Sequence, residues 1–177
     1  MTPLKPAVSS ADHIQGNADA PLELVEYGDY QCPHCGHAYP IIKKVQEDLS
    51  DKLKFVFRNF PLSEVHPNAF AAAVAAEAAA LQNKFWEMHD ILFENQRALD
   101  EVSLFGYAKK IGLDLQKFKD DIQDQKLSDK VDNDFESGVR SGVNGTPSFF
   151  IKGKKYNGNW ETEPLIKYLK SQLPEDD

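Results

Sequence analysis

The sequence predicts an α/β fold with a central mixed β-sheet and an all-helical insertion after the second core strand. Two β-favouring runs, over residues 21–27 and 54–60, flank a helical pattern, as in a β-α-β unit. From residue 67 to about residue 142, apolar residues recur at helical spacing, which gives about 75 residues of helix. Two short strand-like runs and a final amphipathic helix follow. The predicted order is therefore β-α-β, a helical block and β-β-α.

The first strand ends close to the most distinctive motif of the chain. Residues 1–20 before it are polar and rich in small residues, and we interpret them as a loose arm. Leu22, Leu24 and Glu26 share one face of the strand, because successive side chains point to opposite faces. If that face packs inward, Glu26 is a buried carboxylate near the end of the strand, where the cysteines follow.

The helix after this strand contains two prolines. Pro33 fits the first helical position, where its missing N–H costs nothing. Pro40 lies inside the helix and predicts a kink, since it removes one backbone hydrogen bond. One face of the helix carries a stripe that indicates its inner side: Tyr39, Ile42, Val45, Gln46 and Leu49. The order of strand, helix and strand implies a right-handed crossover and a parallel pair of strands.

Capping residues divide the later part of the chain into helices. Asp100 can cap a helix that ends at Gly112, and Asp114 can cap the next one. A strand over residues 146–151, a hairpin and a helix over residues 161–173 close the chain.

Composition argues against several classes of function. The formal charge is −8 and the pI is about 5.1, values that disfavour nucleic acid or an anionic membrane surface as a partner. No run approaches the roughly 18 apolar residues of a membrane span. Residues 1–20 lack the basic and apolar regions of a signal peptide. We therefore expect one monomeric domain, cytoplasmic as the sequence stands and periplasmic if a signal peptide has been removed.

Cys32-Pro33-His34-Cys35 is the motif most directly tied to chemistry, and its cysteines are the only two in the 177 residues. A C-x-x-C at the start of a helix indicates a redox-active dithiol. The alternative is a zinc site completed by His37, His66 or His89. Structural zinc usually has a Cys-rich ligand set, however, and the chain has no second cysteine pair. We expect redox chemistry without a metal or an organic cofactor, with a metal- or partner-binding module as the alternative.

The thiolate is the reactive form of a cysteine, and a free cysteine has a pKa of about 8.5. In such motifs the pKa can fall by about four units, which corresponds to about 5.4 kcal/mol. A helix dipole supplies only about 0.3–2 kcal/mol. We therefore expect backbone N–H groups and the Cys35 thiol to stabilise a Cys32 thiolate, with a further charge from His34. Cys32 is then exposed and ionised, whereas Cys35 is buried and protonated until a base takes its proton; Glu26 is the candidate base.

Further motifs accompany the dithiol: Tyr27-x-x-Tyr30, Arg58-Asn59-Phe60-Pro61-Leu62, His66-Pro67, an alanine-rich helix, Phe85-Trp86-Glu87-Met88-His89 and Gly145-Thr146-Pro147-Ser148-Phe149. Together with Cys-Pro-His-Cys, they resemble the DsbA-like thioredoxin superfamily over roughly residues 14–170. The resemblance implies a thioredoxin fold in a single domain over residues 1–177. Its two core halves are then residues 20–61 and 143–173, and the helical insertion is residues 62–142.

The resemblance also implies an activity, which is thiol–disulfide exchange with protein substrates. Cys32 is then the attacking thiolate and Cys35 the resolving thiol. Glu26, six residues before Cys32, is the buried acid that assists proton transfer. Pro33 and His34 tune the stability of the thiolate.

A cis bond between Thr146 and Pro147 is a further implication of the resemblance. Such a bond exposes the backbone of Thr146, which can pair with an extended substrate segment. The expected partners are protein thiols and disulfides, together with an unidentified protein that recycles the dithiol. The nearest rival is a glutathione-dependent transferase or isomerase of the same fold, a class that usually lacks the dithiol. The residues leave open whether the pair acts as an oxidase, a reductase or an isomerase.

Overall fold

The computed structural model describes residues 2–175. Within that range it contains five strands: β1 (His13–Gly16), β2 (Leu22–Gly28), β3 (Leu53–Asn59), β4 (Ser148–Ile151) and β5 (Lys154–Tyr156). It also contains seven α-helices: α1 (Pro33–Leu49), α2 (Ala69–Ala80), α3 (Phe85–Glu94), α4 (Glu101–Lys110), α5 (Leu115–Asp121), α6 (Gln125–Arg140) and α7 (Thr162–Ser171). The helices α2 to α6 lie between β3 and β4, where the sequence predicts an insertion.

The strands form one mixed sheet in the order β1-β3-β2-β4-β5. Strands β2 and β3 are parallel and are joined through α1, whereas the other pairs are antiparallel. The predicted α/β fold with a central mixed sheet is therefore confirmed. The parallel pair places the carboxyl ends of β2 and β3 side by side, and the dithiol motif follows directly from the end of β2.

The sheet separates two apolar cores. Leu22 and Leu24 face the larger core, together with buried side chains of α1, α3 and α7. Val25 and Tyr27, on the other face of β2, belong to the smaller core, which also holds Leu4. Alternation along β2 therefore produces both cores, and it places Glu26 on the same face as Leu22 and Leu24.

The interpretation of residues 1–20 as a loose arm is wrong. Strand β1 pairs with β3 along one edge of the sheet, and Thr2 and Leu4 bond to the opposite edge through Lys155 and Gly153. Backbone hydrogen bonds hold these segments, and such bonds leave no pattern in a polar sequence. The short β1 is also held by His13, which stacks on Phe85 at a ring distance of 3.7 Å.

The helix boundaries in the insertion follow the predicted caps. The side chain of Asp100 accepts a hydrogen bond from the Ser103 N–H, and that of Asp114 accepts one from Lys117. Gly112 has a φ of 85°, in the left-handed region that favours glycine after a helix. Local sequence chemistry thus determines where these helices begin and end.

Candidate active site

The dithiol lies at the start of α1, directly after β2. Cys32 is the N-cap residue, with extended backbone, and Pro33 occupies the first helical position as predicted. Both cysteines are free thiols. Cys35 is fully buried, whereas 4% of Cys32 is exposed. The sequence is therefore wrong to predict an exposed Cys32, because the loop carrying Thr146 covers it, although Cys32 remains the more accessible thiol.

The surroundings of Cys32 lower its pKa to about 5. The largest cause is a hydrogen bond from the Cys35 thiol; burial opposes the shift, and the Thr146 side chain and the backbone N–H groups of Cys35 and His34 add to it. In the thiol form, Cys32 Sγ also contacts the Thr146 carbonyl oxygen at 3.6 Å. His34 contributes through its backbone, while its side chain is exposed. Direct hydrogen bonds at the first helical turn are therefore the main source of thiolate stability.

Cys35 has the opposite behaviour. Burial raises its pKa well above the ordinary value, and its hydrogen bond to Cys32 and the negative charges of Glu26 and Cys32 raise it further. The same hydrogen bond thus favours a thiolate on Cys32 and a thiol on Cys35. The two sulfurs of one motif therefore favour different protonation states, a thiolate at Cys32 and a thiol at Cys35.

Glu26 lies in the core, as the strand pattern predicts, with 3% of its surface exposed. The pKa of the Glu26 carboxyl group is raised to about 8, mainly by burial and secondly by the negative charge of Cys32. Its Oε2 has no hydrogen-bond partner among the described residues. A carboxyl group with this pKa can take up or release a proton close to neutral pH.

The loop before β4 brings Thr146 and Pro147 against the dithiol. The Thr146–Pro147 peptide bond is cis. The Thr146 hydroxyl is buried and has no partner among the described residues, so it is available to a thiolate on Cys32. Beside this loop is a cavity of about 230 Å³ whose lining includes Pro147, Phe149 and Trp160.

Two further polar side chains contact the motif, and the sequence analysis missed both of them. The buried Asp29 carboxylate accepts a hydrogen bond from the Cys32 N–H at 3.2 Å. Gln96 donates from Nε2 to the Cys32 carbonyl oxygen at 2.8 Å. The spacing of Asp29, three residues before Cys32, could have suggested a side chain that caps the turn. Gln96 is distant in sequence and leaves no such signal.

The three histidines considered as zinc ligands have other partners. His37 bonds to Glu161 and His66 to Asp29, each at 2.8 Å, and His89 Nδ1 shares a hydrogen bond with the buried Tyr30 hydroxyl at 3.0 Å. Across residues 2–175, no three His, Cys, Asp or Glu side chains are grouped so that they could hold a metal ion. The geometry therefore gives no support to the zinc alternative.

Comparison with known proteins gives matches to a family model, to curated proteins and to solved structures. A family model described as thioredoxin matches residues 9–171. Among curated proteins, the chain is 40% identical over 165 residues to the Na(+)/H(+) antiporter NhaA 1 of Salinispora arenicola and 42% identical over 173 residues to that of Mycobacterium sp. (strain KMS). These matches cover 93% and 97% of the chain but only 25% and 28% of the antiporters, so the chain spans about a quarter of their length. No helix among the described residues is long and apolar enough to cross a membrane.

Solved structures share the fold over almost the whole chain. BdbD from Bacillus subtilis superposes with a TM-score of 0.82 at 24% identity, covering 97% of this chain and 96% of its own. The thiol-disulfide exchange protein α-DsbA2 from Wolbachia pipientis also gives 0.82, at 25% identity, with 92% and 88% covered. A thioredoxin-like oxidoreductase from Silicibacter pomeroyi gives 0.81 at 24% identity, with 92% of each chain covered.

Proposed function

Since this chain belongs to the thioredoxin family, with the DsbA-like form of its fold, we propose that it is a thiol–disulfide oxidoreductase acting on protein substrates. The observation that supports the proposal most strongly is the opposite shift of two neighbouring pKa values. The pKa of Cys32 falls to about 5, whereas that of Cys35 rises well above its ordinary value. Near neutral pH, Cys32 is therefore a thiolate that can attack a disulfide, whereas Cys35 remains a thiol.

The reaction proceeds in two exchange steps. The Cys32 thiolate attacks one sulfur of a substrate disulfide, forms a mixed disulfide and releases the other substrate sulfur as a thiolate. Cys35 then loses its proton and attacks Cys32 Sγ, which closes the Cys32–Cys35 disulfide and releases the second substrate thiolate. Two electrons pass from the dithiol to the substrate. The reverse sequence oxidises a substrate dithiol.

Glu26 is the base for the second step. Formation of the mixed disulfide removes the negative charge of Cys32, which is one cause of the raised pKa of Glu26. The pKa of Glu26 therefore falls at the moment when Cys35 must lose a proton. More of the Glu26 carboxyl group is then in the deprotonated form, which can accept the proton directly or through water.

The loop at Thr146 and Pro147 receives the substrate. An extended segment can pair with the backbone of Thr146 as an added strand, which leaves the substrate sulfur facing Cys32. The adjoining cavity, which Pro147 and Trp160 line together with Lys155 and Asn157, can take a side chain of the same segment. Main-chain pairing does not depend on the side chains of the substrate. Recognition by such pairing and one pocket therefore suits a range of unfolded or partly folded proteins.

The stable thiolate makes the pair oxidising, because it favours the reduced form over the disulfide. We place its potential above the value of about −270 mV typical of thioredoxin and towards the value of about −120 mV typical of DsbA. The compartment and the recycling partner then set the direction of exchange. Ion transport is not part of the proposal, because the residues that match the antiporters are also those that match the thioredoxin family model.

Catalysed reduction of insulin disulfides by dithiothreitol tests the proposal. The wild-type chain should accelerate the reaction and Cys32→Ser should not. Equal rates with and without the protein would overturn the proposal. Glutathione conjugation that survives Cys35→Ser would instead favour the transferase of the same fold.

A further inference from the structure

The residues directly before the dithiol are tied to the helical insertion through Asp29. Its Oδ1 accepts hydrogen bonds from the N–H groups of Gln31 at 2.8 Å and Cys32 at 3.2 Å. Its Oδ2 accepts from the Leu62 N–H at 2.9 Å and from His66 Nδ1 at 2.8 Å. The side chain is 1% exposed. One buried carboxylate thus joins the start of α1 to the loop between β3 and α2.

Gln96, in the loop after α3, forms a second connection. Its Nε2 donates to the carbonyl oxygens of Tyr30 at 2.9 Å and Cys32 at 2.8 Å. Its Oε1 lies against Gly36, in the place that a side chain at residue 36 would occupy. Asp29 holds the N–H of Cys32 and Gln96 holds its carbonyl group. Each polar group of the Cys32 backbone also has a backbone partner, because the N–H donates to the Asp29 carbonyl oxygen at 3.1 Å and the carbonyl oxygen accepts from the Gly36 N–H at 3.0 Å. The two side chains therefore add a second contact to each of these groups.

We propose that Asp29 and Gln96 are positioning residues, through which the helical insertion sets the stability of the Cys32 thiolate. The inference rests on the proposed function, in which that thiolate is the attacking group. It assigns the insertion a role in the chemistry of the dithiol, in addition to any role in substrate recognition.

The contacts around Cys32 explain why backbone position matters. The groups that stabilise the thiolate include the Cys35 thiol and the N–H groups of His34 and Cys35, all in the first turn of α1. They reach Sγ because Cys32 keeps the extended N-cap conformation, with φ −69° and ψ 124°. A hydrogen bond weakens steeply with misalignment, so a small backbone rotation at Cys32 would cost several of these contacts at once.

A purely electrostatic role for Asp29 predicts the opposite result. Asp29 is an acid, so loss of its charge would remove a like charge near the thiolate and lower the pKa of Cys32. Loss of its positioning contacts raises that pKa. A purely structural role changes the free energy of unfolding and leaves the pKa of Cys32 in the folded protein unchanged. The sign of the shift separates the three roles.

Two substitutions test the proposal. Asp29→Asn keeps the size of the side chain, but it replaces one carboxylate oxygen with an NH2 group, which cannot accept a hydrogen bond. Either the contacts of Oδ1 with Gln31 and Cys32 or those of Oδ2 with Leu62 and His66 are therefore lost. Gln96→Leu removes both donations to carbonyl oxygens. Two matched controls remove similar contacts elsewhere. Asp134→Asn alters a buried carboxylate that accepts from the Asn59 N–H, and Gln82→Leu removes a donation to the Asp114 carbonyl oxygen.

The readouts are thiolate absorbance near 240 nm against pH and the equilibrium of the dithiol with glutathione. We expect each test variant to raise the pKa of Cys32 by about one unit, while the controls match the wild type. The equilibrium with glutathione should become about tenfold less oxidising, which is about 30 mV for this two-electron couple. An unchanged or lowered pKa in folded Gln96→Leu and Asp29→Asn would overturn the proposal.

The design separates this inference from the proposed function. If the wild-type dithiol does not exchange with glutathione, the proposed function fails, and the absorbance titration still tests the positioning role. If the wild type exchanges and the variants behave like it, only the positioning role fails. Should Asp29→Asn not fold, Gln96→Leu decides the question, because Gln96 is only half-buried and its neighbours Asn95 and Arg97 are exposed.

Discussion

The Glu26 carboxyl group occupies the space that a side chain on Gly28 would fill. A Cβ atom at residue 28 would lie 2.7 Å from Glu26 Oε2 and 2.5 Å from Phe57 Cε2, both closer than such atoms approach in folded proteins. Glu26 and Gly28 share one face of β2, so the glycine leaves room for the carboxyl group behind the dithiol. A side chain at residue 28 is therefore incompatible with the observed position of the Glu26 carboxyl group.

Gly28→Ala should therefore displace the Phe57 ring and the Glu26 carboxyl group, and it should destabilise the protein by about 1–3 kcal/mol, as overpacking does in a filled core. Urea denaturation measures the change. Gly106→Ala is the matched control, because a Cβ atom at Gly106, inside α4, meets nothing within 4 Å. That control should be stabilised by about 0.5–1 kcal/mol. Equal effects of the two substitutions would show that Gly28 has no special role.

Glu26→Gln should slow release of the mixed disulfide much more than its formation. Only the second step requires a base, and general-base catalysis contributes about 10²-fold or more in rate. Stopped-flow measurement of the two steps, with a fluorescent peptide disulfide as substrate, gives both rates. Equal slowing of the two steps would remove Glu26 from the mechanism.

The pH dependence of stability provides a third test, on the reduced protein. Folding lowers the pKa of Cys32 from 9.0 to about 5, so its contribution to the free energy of unfolding is present above pH 9 and is lost as the pH falls towards 5. Folding raises the pKa of Glu26 from 4.5 to about 8, so its contribution is present below pH 4.5 and is lost as the pH rises towards 8. The two slopes oppose each other between pH 5 and pH 8.

In each single variant, the free energy of unfolding should follow the pH dependence of the group that remains. The unfolding free energy of Glu26→Gln should rise with pH between 5 and 8, and that of Cys32→Ser should fall. Urea denaturation at a series of pH values, referred to the wild type, measures both. Parallel profiles for the two variants would contradict the assigned pKa shifts.

Thr146→Val should raise the pKa of Cys32, because it removes a buried hydroxyl that stabilises the thiolate. Thiolate absorbance measures the shift, and we expect about one to two units for one hydrogen bond to a charged group. Ser148→Ala is a suitable control, since the Ser148 hydroxyl donates to Gly145 within the same loop. A shift of the same size in both variants would point to a change in the loop and not to the lost hydroxyl.

Local patterns were sufficient to predict much of this site. A proline at the first helical position placed the dithiol at a helix start, and alternation along one strand turned Glu26 inward. A helix dipole supplies too little free energy for the expected pKa shift of Cys32, so direct hydrogen bonds were the better prediction. These features depend on residues that are close together in sequence.

The missing features depend on long-range contacts. Gln96 reaches Cys32 across 64 residues, and β1 is held by its pairing with β3, so neither has a local pattern. The burial of Cys32 likewise depends on Thr146, more than a hundred residues away, which covers the thiol. Only tertiary packing brings these residues together.

Attack on the substrate by Cys32, and not by Cys35, is the central claim about this dithiol. Incubation of Cys35→Ser with a disulfide-bonded peptide, followed by acid quenching and mass spectrometry of the intact and digested protein, identifies the attacking sulfur. We predict a stable mixed disulfide on Cys32, formed within seconds at pH 7, and none on Cys35 in the matched variant Cys32→Ser. Adducts that form equally fast in both variants, or in neither, would contradict the account.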